Sequence, residues 1–354
     1  MTEARTDFGP LYFKDLMPPV MVENYGKWLY HETLRAGVLK HVSETGAAVY
    51  TVRAGSPRLL SIDTIRDICD LADKYCDGHL RFTSRHNIEF LLSDADKIQP
   101  LIADVKKLGF PVGGTNNSIS NVVHTQGWIH CHSAATDASG LVKSVMDELV
   151  PYFENMTLPA KLRLSMACCL NMCGAIHCSD LALVGIHRKP PRVDSDRLSK
   201  MCEIPNIIAA CPTSAIRPDP KNKSVVVNEE KCMYCGNCFT VCPAMPIADP
   251  ENDGVAIFVG GKVSNARRPP MFSRLAIPYL PNNPPRWPEV VGAVLNIVEV
   301  YAKHAHQGER MGEWIERVGW ETFFRLTGIP FTDKHIDDYR FAPTTFRTSA
   351  AFKW

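Results

Sequence analysis

The chain switches repeatedly between two hydrophobic periods, and the switches mark its elements. From Ser61 onward, Ile62, Ile65, Ile68, Ala72 and Tyr75 recur at helical spacing, with Ser61 placed to cap the helix and Gly78 to stop it. His79 to Leu92 then turns to a period of two: Leu80, Phe82, Ile88, Phe90 and Leu92 share one face, and Arg81, Thr83, Arg85, Asn87 and Glu89 the other. That polar side is either a solvated sheet face or the lining of an anion or cofactor pocket, because guanidinium forks suit oxyanions. A helix from about Asp94 to Leu108 follows, closed by Gly109 and Pro111.

Further along, Asn121 to Cys131 reads as extended, Gly140 to Phe153 as an amphipathic helix, and Pro159 to Met166 as a strand with Leu162, Leu164 and Met166 inward. Lys161, Arg163 and Ser165 take its opposite face. A strand is expected at Gly254–Gly261, a helix at Pro288–Ala305 with proline in its first turn, and another at Glu309–Leu326 stopped by Gly328. Prolines 10, 18 and 19 break the first fifty residues, which predict an irregular arm leading into a short helix around Tyr25–Tyr30. The strand–helix alternation predicts an α+β or α/β unit. Gly113-Gly-Thr-Asn-Asn-Ser118 is a turn and matches no phosphate-binding fingerprint.

At 354 residues with 45% apolar composition, the chain can bury a large core and divides into two or three domains by length. Its formal charge of +1, with both signs interspersed, excludes the basic stripe of a nucleic-acid binder. There is neither a signal-peptide pattern nor an uninterrupted apolar run of about 18 residues, so a soluble, cytoplasmic protein is expected. Thirteen cysteines in a reducing compartment point to metal or redox chemistry and away from disulfides.

Those cysteines form two constellations. Met166-Ala-Cys168-Cys169-Leu-Asn-Met-Cys173-Gly174 carries three thiols, and Cys131 stands alone upstream in Gly127-Trp-Ile-His130-Cys131-His132. Adjacent cysteines with a third at i+4 fit no zinc knuckle, and four thiolates suffice for an iron–sulfur cluster; buried inert thiols are the plain alternative. The second constellation is Cys232-x2-Cys235-x2-Cys238-x3-Cys242-Pro243, the bacterial ferredoxin signature. Cys211-Pro212 supplies the remote fourth ligand to Cys232, Cys235 and Cys238, which predicts one 4Fe–4S cluster, an electron relay, and leaves Cys242 over. A segment of about residues 200–250, rich in proline and holding six cysteines, therefore reads as an insert.

With these cysteine sets go Asn24-Tyr-Gly-Lys-Trp-Leu-Tyr-His31, Asn121-Val-Val-His-Thr-Gln-Gly-Trp128, Cys173-Gly-Ala-Ile-His-Cys-Ser-Asp180, Gly185-Ile-His-Arg-Lys-Pro-Pro191 and Gly260-Gly-Lys-Val-Ser-Asn265. Together they resemble the beta subunits of dissimilatory sulfite reductases over nearly the whole chain. The resemblance implies an α+β fold of sulfite-reductase-type mixed sheets with packed helices and an inserted ferredoxin-like 4Fe–4S domain. The expected organisation is an N-terminal arm with partner contacts (1–50), a ferredoxin-like α+β domain (51–120), a sirohaem and 4Fe–4S domain in two parts (121–200 and 251–330), the insert (201–250) and a C-terminal tail (331–354).

What the resemblance implies for chemistry is the six-electron interconversion of sulfite and sulfide, or a protein-bound trisulfide, in either direction. Sirohaem and two 4Fe–4S clusters are the implied cofactors. Cys131, Cys168, Cys169 and Cys173 would hold the cluster coupled to sirohaem, Cys173 also as its axial ligand, and Cys211, Cys232, Cys235 and Cys238 the relay cluster. Arg81, Arg85, Lys161 and Arg163 match the family's anion-binding cations, although Lys161-x-Arg163 departs from Lys-x-Lys; His130 is a candidate proton relay. The implied partners are an alpha subunit in an α2β2 heterotetramer, a small sulfur-carrier protein with C-terminal cysteines, and sulfite. Any membrane link would be indirect, through electron-transfer partners. An assimilatory sulfite or nitrite reductase shares the sirohaem chemistry but is usually fused and lacks the insert. A purely electron-transferring subunit leaves the first cysteine set unexplained.

Overall fold

The computed structural model describes residues 16–127 and 131–336. Contacts divide the chain into two units, Met1–Asn121 with Val150–Lys161, and Val122–Leu149 with Leu162–Trp354. In the first, α1 (Pro19–Glu23) precedes three strands, β1 (Trp28–Arg35), β2 (Val38–Ser43) and β3 (Ala48–Ala54), then α2 (Ile62–Cys76), β4 (Leu80–Phe82), β5 (Ile88–Leu92) and α3 (Ile98–Lys107). The strands form an antiparallel sheet in the order β1-β2-β3-β5-β4. Ser61 caps α2 by accepting the Thr64 N–H at 3.1 Å, and the helix ends at left-handed Asp77 before Gly78. Ile68, Ala72 and Tyr75 of α2 and Leu101, Ile102 and Val105 of α3 pack on Val52, Ala54, Ile88, Phe90 and Leu92. Each Val, Leu, Ile or Phe among them contributes roughly 1.5–3 kcal/mol on burial. Ile62 and Ile65, in the first turn of α2, stay exposed.

Beyond this, β6 (Ile119–His124), α4 (Ala138–Glu154), β7 (Leu162–Ala167) and β8 (Leu181–Ile186) lead to the insert. The insert comprises α5 (Ser195–Met201), α6 (Ile204–Ala210), β9 (Ile216–Asp219), β10 (Ser224–Val227) and α7 (Asn237–Val241). Then come β11 (Gly254–Val259), β12 (Arg274–Pro281), α8 (Pro288–His304), α9 (Met311–Val318) and α10 (Trp320–Thr327). The second sheet is mixed, in the order β12-β11-β8-β7-β6, with β7 and β8 parallel and β11 antiparallel to both neighbours. β8 and β11 are buried along their whole length, as their continuous apolar runs require. Ile186 pairs with Gly254, so the insert leaves and re-enters the sheet between adjacent strands. It folds around its own core of Leu198, Ile207, Ile216, Val225, Ala244 and Met245.

Four expectations are corrected. The stretch expected to be an irregular arm with a short helix at Tyr25–Tyr30 holds strands from Trp28 on; β1 is an exposed edge strand, held by pairing to β2, and so shows no apolar alternation. The run from His79 to Leu92 is a hairpin, because the Thr83 hydroxyl accepts the Arg85 and Asn87 N–H groups and His86 adopts φ 64°, yet Arg81 still faces Glu89 across it. The helix expected over Glu309–Leu326 breaks at Gly319 (φ 84°) into α9 and α10, whose Trp314 and Phe323 rings meet edge-on at 5.9 Å. Finally, Cys242 is not left over: it is bonded to Cys202, the two residues that end α7 and α5 having their Cα atoms 5.7 Å apart. The C-terminal tail beyond residue 336 lies outside the described residues.

Candidate metal centre

Strand β7 runs buried through Leu162, Leu164 and Met166 and delivers Cys168 and Cys169 into the interior. The Cys168 peptide is fixed on both sides, its N–H donating to Thr125 Oγ1 at 3.0 Å and its carbonyl accepting from Ala135 N at 2.8 Å. Gly185 on β8 makes room for that carbonyl, since a Cβ there would stand 2.2 Å from Cys168 O. Across a long stretch of sequence, Cys131 joins them, and the three sulfurs lie within 4.8 Å of one another. Cys173 does not join this group; it is exposed, on a tight loop whose Met172 and Ala175 take positive φ. Cys178 is half-buried and directs its thiol to the Ala175 carbonyl at 3.4 Å.

The electrostatics suit a metal-bound state. A hydrogen bond from Cys168 to Cys169, reinforced by burial, pushes the Cys168 thiol well up, and the same bond draws Cys169 down. Ser133, itself buried, sets its hydroxyl 3.3 Å from Cys131 Sγ and 3.9 Å from Cys169 Sγ. Its carbonyl meets His187 Nε2 at 2.9 Å, while His187 Nδ1 meets Asp253 Oδ2 at 2.9 Å. Carbonyl and carboxylate are both acceptors, an arrangement that favours the protonated ring, in which both nitrogens donate. Burial opposes that charge, but the hydrogen bond and charge of Asp253 outweigh it and hold the His187 pKa up. A donor set of thiols alone, without carboxylate or imidazole, is soft and fits iron–sulfur ligation.

Within the insert, Cys211, Cys232, Cys235 and Cys238 line one cavity with Thr213, Gly236 and Ile247. Burial, then the neighbouring thiols Cys235 and Cys232, push Cys238 up to about 12, and burial also raises Cys235. Raised thiols such as Cys235 and Cys238 are the kind a metal must deprotonate to bind. The Ala215 N–H already points at Cys211 Sγ, 3.2 Å away, as N–H groups do towards cluster sulfurs.

Two family models match the chain: the nitrite and sulphite reductase 4Fe–4S domain over residues 115–334, and the nitrite/sulfite reductase ferredoxin-like half domain over residues 41–108. The dissimilatory-type sulfite reductase subunit beta of Archaeoglobus fulgidus is 57% identical over 99% of both chains. The chain belongs to the dissimilatory-type sulfite reductase beta subunits. Its counterpart from Nitratidesulfovibrio vulgaris is 53% identical, with 100% of this chain and 97% of that one aligned. The crystal structure of dissimilatory sulfite reductase I shares the fold, with a TM-score of 0.81 at 20% identity over 90% of this chain and 80% of that one. Membership of this family makes the chain an oxidoreductase acting on sulfur compounds, with the family's mixed-sheet α+β fold.

The cations that the family resemblance singled out are tied down unequally. Arg81 donates through Nε to Glu89 Oε2 at 2.6 Å, and Glu89, fully buried, is shared with Arg53. Arg81 also lines a cavity of about 280 Å3 with Trp28, Tyr30, His31, His41 and Thr51. Arg85 reaches the Asn121 carbonyl at 3.1 Å. Lys161 is exposed, and the backbone N–H of Arg163 is held by Asp180 at 2.8 Å. His130 lies outside the described residues.

Sequence reasoning missed Ser133, His187 and Asp253 around the thiols, and His31 and His41 in the cavity beside Arg81. His187 and His31 stood inside the family-like stretches, but nothing in the spacing marks a serine two residues past a ligand or an aspartate 66 residues from its histidine. Two other residues of those stretches prove structural. Lys262 is buried with Nζ donating to Glu313 and to the carbonyls of Ala266 and Arg268, and Asp180 forms a buried pair with Arg310.

Proposed function

We propose that this chain is the beta subunit of an αβ sulfite reductase that interconverts sulfite and sulfide, or a protein-bound trisulfide, by six electrons. In this reading Cys131, Cys168, Cys169 and Cys173 hold a 4Fe–4S cluster coupled to sirohaem, and Cys211, Cys232, Cys235 and Cys238 hold a second. When bound, the sirohaem and its cluster supply the iron at which sulfite is reduced and the electrons that reach it. The observation that carries the reading is the convergence of Cys131, Cys168 and Cys169, from segments far apart in sequence, in a unit that also folds a second four-thiol cavity. Exposure of Cys173 suits its proposed double duty, because a thiolate shared with a tetrapyrrole must be open on one side.

The chain's own residues act in support. Burial of Cys168 and Cys169 keeps water from the ligands, and His187, held by Asp253, fixes the Ser133 loop beside them. Arg81, Arg85, Lys161, Arg163 and His130 are proposed to bind the sulfite dianion and deliver protons, in this subunit's site or in the one shared with the alpha subunit. Curated relatives include alpha subunits, such as that of Allochromatium vinosum at 24% identity over 83% of this chain, which supports an αβ assembly. A sulfur-carrier protein with C-terminal cysteines is the proposed acceptor of product sulfur. No helix among the described residues is long and apolar enough to cross a membrane, so electrons from membrane donors would arrive through other proteins.

Replacing Cys235 by Ser in the complex purified with its alpha subunit tests the relay. Iron should fall by one cluster, sirohaem absorbance should persist, and turnover with the physiological donor should stop. Undiminished turnover from that donor would overturn the assignment.

A further inference from the structure

The two cysteine constellations touch through two contacts that neither motif records. Ser133 is buried two residues past Cys131, with its hydroxyl between Cys131 Sγ at 3.3 Å and Cys169 Sγ at 3.9 Å. Its other side faces the insert: a Cβ on Gly236 would stand 3.1 Å from Ser133 Cβ and 3.3 Å from Ile247 Cγ2. Gly236 sits between Cys235 and Cys238 and has φ 78°, so the absence of a side chain there lets the ligand loop turn and lie against Ser133. One residue earlier, His132 packs edge-on against Phe239 with ring centroids 5.1 Å apart, each beside a ligand of its own constellation.

We propose that Ser133, seated against Gly236, is the positioning residue through which the insert's centre passes electrons to the inner one. The idea rests on the reading that both cysteine sets carry clusters. In that reading Cys211, Cys232, Cys235 and Cys238 would hold the donor centre and Cys131, Cys168, Cys169 and Cys173 the acceptor, so that the one electron lost by the first would be gained by the second. No bond breaks and no proton moves.

Ser133 contributes in two separable ways. Its hydroxyl has thiol sulfur on both sides and donates to whichever carries the charge, which favours the reduced inner centre, since hydrogen bonds to cluster sulfurs raise potentials. Its Cβ and backbone fill the space between the loops and keep them in contact. The position is locked from behind, because the Ser133 carbonyl is held by His187, whose other nitrogen is held by Asp253. His187 and Asp253 directly follow and precede Ile186 and Gly254, the paired residues where the insert departs and returns. One hydrogen-bonded triad therefore ties the root of the insert to the loop its ligands must reach.

Two variants of the holoenzyme, purified with its alpha subunit, separate the roles. Ser133→Ala removes the donor and keeps the Cβ. Redox titration followed by EPR should show the inner centre harder to reduce by about tenfold in its electron-partition constant, or about 59 mV, with the insert's centre unchanged. Gly236→Ala keeps the donor and wedges the loops; the inner potential should hold, while freeze-quench EPR after mixing with reduced methyl viologen should show several-fold slower arrival of electrons at the inner centre. Iron analysis is read first, because Ser133→Ala retains its backbone bond to His187 and should load fully; loss of inner iron would count against the proposal. Wild-type potentials and transfer rates in both variants would overturn it. If Cys235→Ser also left electron arrival at the inner centre unchanged, the fault would lie with the relay reading, whereas a slowed Cys235→Ser beside two normal variants would reject Ser133 alone.

Discussion

Gly185→Ala is the sharpest probe of how the fold presents its thiols. The added methyl would meet Cys168 O at 2.2 Å, Cys168 C at 2.8 Å and Thr136 Cγ2 at 2.9 Å, and two of these are backbone atoms that cannot swing aside. Gly185 does not use positive φ, so alanine is conformationally acceptable and the collision is the whole perturbation. Relief requires β8 or the Cys168 peptide to move by about 1 Å, the kind of overpacking that costs ~1–3 kcal/mol. The same displacement strains the bond from Ala135 N to Cys168 O, 2.8 Å long and buried, whose loss adds roughly 1–3 kcal/mol. A total of about 2–6 kcal/mol, concentrated at a ligand, should lower the thermal midpoint by several degrees and reduce iron at the inner site while sparing the insert's cluster. The assay is iron per chain together with EPR of the two centres and a thermal melt. Gly292→Ala in α8, with nothing within 4 Å of the new Cβ, is the control and should stabilise by roughly 0.5–1 kcal/mol. Normal iron and an unchanged midpoint in Gly185→Ala would refute the claim that this glycine makes room for the cysteine.

Two further outcomes follow from buried charge. Arg310→Met leaves Asp180, fully buried, without its guanidinium and should cost about 3–5 kcal/mol, most of it recovered in Asp180→Leu/Arg310→Met; chemical denaturation showing a coupling below about 1 kcal/mol would rule this out. Although burial pushes Glu89 up, Arg53 and Arg81 outweigh it and hold its pKa below the usual carboxylate range, so its contribution to stability is complete above its unfolded value of about 4.3 and is lost as pH falls through the depressed folded value; Arg81→Met should therefore move acid unfolding, followed by circular dichroism, to higher pH, and an unmoved midpoint would be the contrary result.

Much of the architecture was legible where burial and periodicity coincide. The cap at Ser61, the stop at Gly78, the inward Leu162, Leu164 and Met166, and the buried run of β11 all carry local signals strong enough to read. β1 was not legible, because an edge strand is specified by hydrogen bonds to its neighbour and leaves its side chains in water. Spacing picked out the thiols of Cys131, Cys168 and Cys169 and of the insert, which the fold brings together, but also Cys173, which stays apart, whereas Ser133, His187 and Asp253 meet through geometry that only the folded sheet creates. The break at Gly319 was hidden in a pattern apolar on both sides of it, which a continuous helix would satisfy equally well.

The fate of Cys242 shows how the insert is fitted to its task. In a two-cluster ferredoxin the fourth cysteine of the run serves the other cubane, whose remaining ligands are missing here. Cys242 is bonded instead to Cys202, at the end of α5, within the apolar core formed by Leu198, Ile207 and Met245. The covalent link joins the segment leading to Cys211 to the one that follows Cys238. What is left is a module with one thiol-lined cavity, and its ligand loop faces Ser133 and the inner cysteines. Because Ile186 and Gly254 are hydrogen-bonded neighbours, that module is rooted on a rigid pair of central strands, and the root is clamped by His187 and Asp253. A thiol-lined cavity on a root fixed in this way keeps its ligand loop against Ser133, which is the geometry that the proposed electron relay to the inner cysteines requires.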